Sequence, residues 1–189
     1  IGFNKVIYKD MDNANSTYRK ILRENILFSN FLKDNTVERE SIAIMLPNYN
    51  IMPSTLFACF FINRLPLLMN ATIPANQIIA LCKKANTRVI LTSKRYINAF
   101  MLSECVSILE EHFNILYLED IAANLHLSSY IKSWFLSYFP SIAYSDGAYN
   151  VTPSQEALLM ITQNNDAYKL TSIAHKNILS NIAQIKSRI

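Results

Sequence analysis

Short apolar runs alternate with longer amphipathic stretches along most of the chain. Five runs of four to six residues are almost continuously apolar, which is typical of strands buried on both faces of a parallel sheet. These runs cover residues 41–46, 66–69, 88–92, 114–118 and 157–161. The stretches between them at residues 53–62, 74–84 and 94–112 have the apolar spacing of helices. This order predicts a three-layer α/β fold, with a mostly parallel sheet between two layers of helices.

A polar segment follows the last apolar run. Residues 162–169 carry hydroxyl, amide, carboxylate and lysine side chains, and a helical pattern resumes near residue 173. The strand–polar loop–helix order is common in proteins that hold a nucleotide phosphate, although such loops usually contain glycine and this one has none. In a parallel sheet this loop would share the carboxyl edge with the positions after Leu46, Met69, Thr92, Leu118 and Ile161.

Composition places the chain in the globular class. It has 189 residues, of which 51% are hydrophobic and 17% charged, and only two are glycine. Glycine is therefore far below its ordinary usage of about 7%. The net charge is +4, but the basic residues are scattered, and pairs such as Lys83-Lys84 and Lys94-Arg95 are expected on solvated helix surfaces. We therefore expect no nucleic-acid partner.

Cysteine, histidine and paired carboxylates give no catalytic or metal-binding pattern. The three cysteines are widely spaced and odd in number, so we expect free buried thiols in a reducing cytoplasm. The three histidines are too dispersed for a Ser-His-Asp or Cys-His arrangement, and His112 and His126 are interpreted as structural. Glu110-Glu111 and Glu119-Asp120 are expected to be solvated. We therefore assign no catalytic residue and no metal site.

Residues 120–155 interrupt the alternation of strands and helices. Residues 124–139 have a helical pattern, and residues 141–153 are rich in turn formers and are interpreted as a linker. The aromatic segment 130–139, which includes Trp134 and Phe135, has one charged residue. We expect it to pack against its own domain; the alternative is peripheral contact with a membrane surface, at the inner face of the cell membrane.

Four motifs in order resemble a known family. They are IMLPN at 44–48, NRLPLLMN at 63–70, VILTSKRY at 89–96 and LYLED at 116–120. AMP-forming acyl-activating enzymes have MLPN, GR-x-PA-x-LN, TSR-x-F and YLED in this order. The chain looks most similar to the synthetase half of the bifunctional acylglycerophosphoethanolamine acyltransferase/acyl-acyl-carrier-protein synthetase family. The resemblance covers nearly the whole chain, from about residue 18 onward.

The resemblance places a phosphate-binding signature, T-S-G-S-x-G-x-P-K-G, on the polar segment. Thr162 and Lys169 match its threonine and lysine, Gln163 and Asn165 replace its serines, Asp166 takes the acidic position, and Asn164, Ala167 and Leu170 replace glycines. The proline is missing, and the loop looks one residue shorter. His175 and Asn177 match the Ser-His-x-Asn helix start, and Ala174 replaces its serine. By this resemblance the nucleotide-binding residues are Thr162, Gln163, Asn164, Asn165, Asp166, Lys169 and His175.

Family membership would imply ATP-dependent activation of a fatty acid, with ATP and magnesium as cofactors. The acyl group would pass to acyl carrier protein or a lysophospholipid. Ala167 and Leu170 would each cost about 1–2 kcal/mol in a left-handed conformation. We therefore expect an ordinary solvated connection between strand and helix; the alternative is a loop that binds ATP weakly. We therefore expect residues 1–189 to be the first part of an AMP-binding domain, without the small domain that carries the catalytic lysine. Such a fragment is expected to be inactive alone; the alternative is a non-catalytic binding or membrane-surface module.

Overall fold

The computed structural model describes residues 2–9, 15–70, 72–145, 151–164 and 167–188. The strands in this part are β1 (Val6–Lys9), β2 (Asn15–Thr17), β3 (Ser41–Ile44), β4 (Leu65–Leu68), β5 (Thr87–Thr92), β6 (Asn114–Tyr117), β7 (Glu156–Asn164) and β8 (Ala167–Ala174). The helices are α1 (Tyr18–Asn35), α2 (Ile51–Phe61), α3 (Ala75–Lys84), α4 (Lys94–Ala99), α5 (Ser103–Glu110), α6 (Leu118–Asn124), α7 (Leu127–Leu136), α8 (Pro140–Ser145) and α9 (His175–Lys186).

The central sheet has six strands in the order β6-β5-β3-β4-β7-β8. The first five are parallel to their neighbours, and β8 returns antiparallel to β7. A separate antiparallel pair, β1 and β2, precedes α1. The predicted α/β fold with a mostly parallel sheet is confirmed, and each predicted strand lies within a few residues of an observed one.

Alternation along the strands divides the core into two halves. Ile42 and Ile44 point to the face covered by α1, α2 and α6, whereas Ala43 points to the face covered by α3, α4 and α5. On β5, Leu91 likewise points to the face covered by α1, α2 and α6, and Ile90 points to the face covered by α3, α4 and α5. Because successive side chains of a strand point to opposite faces, a continuously apolar strand needs a helix layer on each side. All five of these side chains are fully buried.

Two predicted elements differ from the structure. The helix predicted at 94–112 is two helices, α4 and α5, separated at Met101, whose φ is 53°. The run 114–118 is a strand only as far as Tyr117, because α6 begins at Leu118 and has Glu119 and Asp120 in its first turn.

The region interpreted as helix and linker is also more regular than predicted. The helical pattern at 124–139 corresponds to α7, and α8 lies in the region interpreted as a linker. Residues 146–150 of that linker lie outside the described residues.

Asparagine takes the left-handed positions that end two helices. Asn63 follows α2 with φ 54°, and Asn86 follows α3 with φ 53°. Glycine is the usual residue at such positions because it lacks a Cβ, and asparagine is the best-tolerated substitute. Asn63 also occupies the glycine position of the GR-x-PA-x-LN motif. The chain therefore keeps this backbone geometry despite having few glycines.

Candidate functional site

The carboxyl ends of the parallel strands form one edge of the sheet. Ile44, the last residue of β3, pairs with Leu68 on β4 and Leu91 on β5. Leu91 in turn pairs with Leu116, and Leu68 with Met160. This register aligns the strand ends, as the sequence predicted. In open α/β sheets, ligands bind outside this edge.

A cleft opens at the edge between β3 and β5. The connection after β3 carries α2 on one face of the sheet, and the connection after β5 carries α4 and α5 on the other face. Adjacent strands whose connections leave to opposite faces create a crevice. This cleft has a volume of about 510 Å³ and is lined by Pro47 after β3, Ser93 after β5 and Leu118 after β6.

The walls of the cleft are aromatic and partly charged. Tyr49, Tyr96 and Phe100 line it, and the rings of Tyr96 and Phe100 lie 4.9 Å apart. Arg95, which was interpreted as solvated helix surface, also lines the cleft and is exposed. The sequence interpretation missed this cleft. The available signal was the Ser93-Lys94-Arg95 segment directly after an apolar strand.

The carboxylate of Glu119 organises the start of α4. It accepts hydrogen bonds from the Ser93 hydroxyl at 2.7 Å and from the backbone N–H groups of Lys94 and Arg95 at 2.9 and 3.1 Å. Burial acts to raise the pKa of Glu119, but these hydrogen bonds outweigh it and the pKa is lowered. The expectation of a simply solvated Glu119 is therefore wrong, because this side chain caps a helix.

Charged side chains near Glu119 also form specific contacts. Lys94 forms a close ion pair with Asp120, and its ammonium lies 5.2 Å from the centre of the Tyr117 ring. The Tyr117 hydroxyl donates to Glu110 at 2.6 Å. Burial, followed by this contact with Glu110, raises the pKa of Tyr117 to about 12. Glu110 and Glu111 are exposed, as expected, and the Asp120 side chain is half exposed, although Glu110 and Asp120 also have defined partners.

The β7–β8 hairpin carries the residues that the sequence assigned to phosphate. Its last pair with β4 is Leu68–Met160, and β7 continues with β8 for four more residues to Asn164. At about 3.3 Å per residue the hairpin projects roughly 13 Å beyond the edge of the parallel strands. The predicted strand–loop–helix order is therefore wrong: a second strand, β8, follows the turn, and the helix begins only at His175.

Thr162 and Lys169 are cross-strand partners in this hairpin. Both side chains are exposed, and directly opposed residues in an antiparallel pair point to the same face. The Thr162 hydroxyl is 2.9 Å from that of Thr171 and donates to the Lys169 carbonyl at 3.3 Å. A hydroxyl and an ammonium group therefore share one face of the projecting hairpin.

The other assigned residues are distributed along the hairpin. Gln163 is exposed and pairs with Tyr168, and the backbone of Asn164 pairs with Ala167. Asn165 and Asp166 lie outside the described residues. Because Ala167 and Leu170 are strand residues, neither has a positive φ, and the strain expected at these positions does not arise.

His175 does not belong to the same site. It begins α9, directly after Ala174, which pairs with Glu156 at the start of β7. His175 lies six positions after Lys169 along β8, which corresponds to about 20 Å at about 3.3 Å per residue. Its ring instead lies 5.8 Å from that of Phe60. The expectation that His175 lies beside the phosphate loop is therefore wrong. The N–H of Ala174 donates to the Asn177 side chain at 3.1 Å, which keeps one half of a capping box, whereas Ala174 lacks the hydroxyl with which the serine would form the other half.

The thiols and possible metal ligands offer no second site. Cys59 and Cys82 are fully buried, and burial raises the pKa of both to about 12, so they are poor nucleophiles. Cys105 is partly buried, and all three are free. Within the described ranges, no group of three His, Cys, Asp or Glu side chains could hold a metal ion.

The aromatic segment of α7 is more exposed than expected. Trp134 and Phe135 are 51% and 54% exposed, so the expected packing of these side chains against the domain is wrong. No helix in the described part of the chain is both long and apolar enough to cross a membrane.

Solved structures share this fold at low sequence identity. No model of a known protein family matches the chain. VinN in complex with 3-methylaspartate is 15% identical with a TM-score of 0.73, over 97% of this chain and 47% of that protein. The fatty acyl-adenylate ligase from L. pneumophila, in complex with acyl adenylate and pyrophosphate, is 13% identical with a TM-score of 0.67, over 96% and 29%.

A third similar structure is the O-succinylbenzoate Coenzyme A synthetase from Bacillus subtilis. It is 12% identical with a TM-score of 0.66, over 93% of this chain and 32% of that protein. The chain therefore spans less than half the length of each of these three proteins. Two of the three are named as an adenylate ligase and a synthetase, which agrees with the resemblance seen in the sequence motifs. At these identities the likeness establishes the fold alone.

Proposed function

We propose that the chain is part of an ATP-dependent, AMP-forming enzyme that activates a fatty acid, of the acyl-acyl-carrier-protein synthetase or lysophospholipid acyltransferase type. The observation that carries this proposal is the pairing of Thr162 with Lys169 on a hairpin that projects from the carboxyl edge of the sheet. These are the two residues that match the threonine and lysine of the phosphate-binding signature. The sequence motifs and the fold shared with an acyl-adenylate ligase support the same assignment.

The residues of the hairpin fit a phosphate in part. Lys169 supplies a positive charge, and the Thr162 hydroxyl on the same face would supply a hydrogen-bond donor if its proton turned from the Lys169 carbonyl to the phosphate. ATP would supply the adenylyl group that activates a carboxylic acid: the carboxylate would attack the α-phosphorus, and pyrophosphate would leave. The described residues contain no group of three His, Cys, Asp or Glu side chains that could hold a metal ion. Thr162 and Lys169 are the residues through which this part of the chain would contact the nucleotide.

A non-catalytic binding module is the competing function. The strands remain paired up to Asn164 and from Ala167 onward, so many of their backbone N–H groups are committed to the ladder. A phosphate-binding loop instead needs several N–H groups that converge on the anion. This geometry favours weak nucleotide binding over catalysis by residues 1–189 alone.

Titration of the chain with ATP and magnesium, followed by calorimetry, tests the proposed contact. We expect weak, saturable binding that falls at least about tenfold in Lys169→Ala, since a charge-assisted contact contributes about 1.5–3 kcal/mol. Lys84→Ala is the matched control, because Lys84 is an exposed lysine at the end of α3 and precedes the amino end of β5. Equal affinity in Lys169→Ala and Lys84→Ala, or no binding by the parent chain, would contradict the proposal.

A second measurement separates binding from catalysis. We expect the isolated chain to form no acyl-hydroxamate from palmitate, ATP, magnesium and hydroxylamine. Product clearly above background would show that the isolated chain is active. Binding without product would agree with an activating enzyme of which these residues are one part.

A further inference from the structure

Helix α7 buries small polar side chains and exposes large apolar ones. Ser133 and Ser137, the latter just after the helix, are fully buried, and their hydroxyls donate to the backbone carbonyls of Tyr130 and Trp134. A helix that packs only against its own domain usually buries its large apolar side chains and exposes its polar ones. The exposed fractions of its outer apolar residues are 75% for Leu127, 60% for Ile131, 51% for Trp134 and 54% for Phe135.

This apolar surface continues beyond the end of α7. The Trp134 and Tyr138 rings lie 4.9 Å apart, and the Phe135 and Phe139 rings 5.0 Å apart. Ile142 on α8 is 57% exposed. We call these outward-facing side chains of residues 127–142 the α7–α8 surface. A run of exposed apolar residues of this extent marks a contact site.

The charge around the α7–α8 surface is positive. Residues 121–145 contain no Asp or Glu, and Lys132 on α7 is exposed. From α1, Arg23 lines a shallow cavity together with Ile131 and Trp134. The guanidinium of Arg19, also on α1, lies 4.0 Å from the centre of the Tyr138 ring. Three cations on two helices therefore accompany the apolar side chains.

We infer that the α7–α8 surface binds a lipid bilayer that contains anionic lipids. Tryptophan and tyrosine favour the headgroup level of a membrane, and nearby lysine and arginine are attracted to anionic headgroups. α7 is about 15 Å long at 1.5 Å per residue, which suits an element that lies in the interface and does not cross the bilayer. No residue of the β7–β8 hairpin takes part, so this inference is independent of the proposed function.

A second copy of the chain fits this surface less well. In a symmetric dimer the same patch faces itself, so its charges must complement one another across the axis. A segment with a lysine and no carboxylate is not self-complementary, and like charges oppose association. The cationic and aromatic composition therefore favours lipid over a second copy.

Co-sedimentation with lipid vesicles tests the apolar part of the inference. The 189-residue chain is mixed with vesicles of phosphatidylcholine alone and of phosphatidylcholine with phosphatidylserine. We expect binding to the anionic vesicles that falls roughly tenfold or more in the double variant Trp134→Ser, Phe135→Ser, which removes two large apolar side chains. The control Val37→Ser, Met101→Ser alters residues that are 59% and 90% exposed elsewhere and should bind like the parent.

A charge variant tests the role of the headgroup. Lys132→Gln should lower binding to phosphatidylserine vesicles about fivefold, whereas Lys84→Gln, at a distant exposed lysine, should leave binding unchanged. Circular dichroism verifies that each variant is folded, and Leu127→Ser, Ile131→Ser replaces the double variant if that one is not. Equal binding of both vesicle types would overturn the inference, as would equal binding of the parent and the double variant Trp134→Ser, Phe135→Ser. Absence of vesicle binding, together with a concentration-dependent dimer in sedimentation equilibrium, would also overturn it.

Discussion

The Ser93 hydroxyl donates a 2.7 Å hydrogen bond to Glu119, and this contact joins the ends of two neighbouring strands. Ser93 directly follows β5, and Glu119 lies in the first turn of α6, just after β6. The same carboxylate accepts two backbone N–H groups at the start of α4. One side chain therefore fixes the direction in which the chain leaves the sheet beside the edge cleft.

Glu119→Gln should destabilise the protein at neutral pH by about 0.3–1 kcal/mol, the range for an anion at a helix N-terminus. Because the pKa of Glu119 is lowered by folding, its ionised form stabilises the fold at pH above the ordinary value of 4.5, and this contribution is lost as the pH falls through the folded pKa. Urea unfolding at neutral pH and well below the ordinary value measures the difference. The difference in the free energy of unfolding between Glu119→Gln and the parent should be smaller in acid than at neutral pH. Glu111→Gln, at an exposed carboxylate, should show neither the loss of stability nor its dependence on pH. A constant difference at both pH values would contradict the role assigned to the charge.

Met101→Gly should stabilise the protein. Met101 has φ 53° and is 90% exposed, so its side chain gains little from packing while its backbone is strained. Glycine removes the backbone strain, which is about 1–2 kcal/mol, but its greater flexibility in the unfolded chain costs about 0.5–1 kcal/mol. The free energy of unfolding should therefore rise by roughly 0.5–1 kcal/mol. The free energy of unfolding in urea measures this gain.

Asn86→Gly is the matched comparison for Met101→Gly. Asn86 has nearly the same φ, 53°, and is exposed, but asparagine tolerates this region. We expect a change within about 0.5 kcal/mol. An equal gain at both positions would show that the backbone at Met101 is not strained by its side chain.

Arg64→Met should destabilise the protein by about 3–5 kcal/mol. Arg64 is only 7% exposed, and its guanidinium donates to the Thr36 hydroxyl at 2.9 Å, the Thr36 carbonyl at 2.7 Å and the Ile62 carbonyl at 2.5 Å. Methionine fills similar space but leaves these buried acceptors without that donor. Chemical denaturation measures the loss, and Arg95→Met, at an exposed arginine, should change stability by less than about 0.5 kcal/mol. A loss at Arg64 as small as that at Arg95 would show that the motif arginine is not structural.

The parallel strands could be predicted from sequence because burial on both faces leaves a direct signature. Ile42, Ala43 and Ile44 are consecutive, apolar and fully buried, although they point to different helix layers. No polar position interrupts the run, so the strand and its central place in the sheet follow from composition alone. The alignment of the strand ends follows in turn from parallel pairing.

The break between α4 and α5 was not predicted because no residue type that usually ends a helix marks it in the sequence. Phe100, Met101 and Leu102 continue the apolar helical pattern without a glycine or proline. The chain nevertheless turns there, and the Leu102 N–H bonds to the Ile97 carbonyl. A local pattern carries no information about this turn, which returns the chain against the sheet.

Strand β8 was missed although its signal was present. Tyr168 and Leu170 are partly buried and alternate with the exposed Lys169 and Thr171, which is the period of a strand. The resemblance to a phosphate-binding signature directed attention to the loop and to the following helix.

The exposure of Trp134 and Phe135 could not be predicted, because an aromatic pattern does not specify which face meets the domain.

Cys59 and Cys82 lie in opposite halves of the core, the first on the buried face of α2 and the second on the buried face of α3. Both thiols are shielded from solvent and held protonated, so an alkylating reagent modifies each one only when its own helix layer opens. The two rates of alkylation consequently report the opening of each layer separately. The native chain thus contains two intrinsic probes that reveal whether its layers separate together or one before the other.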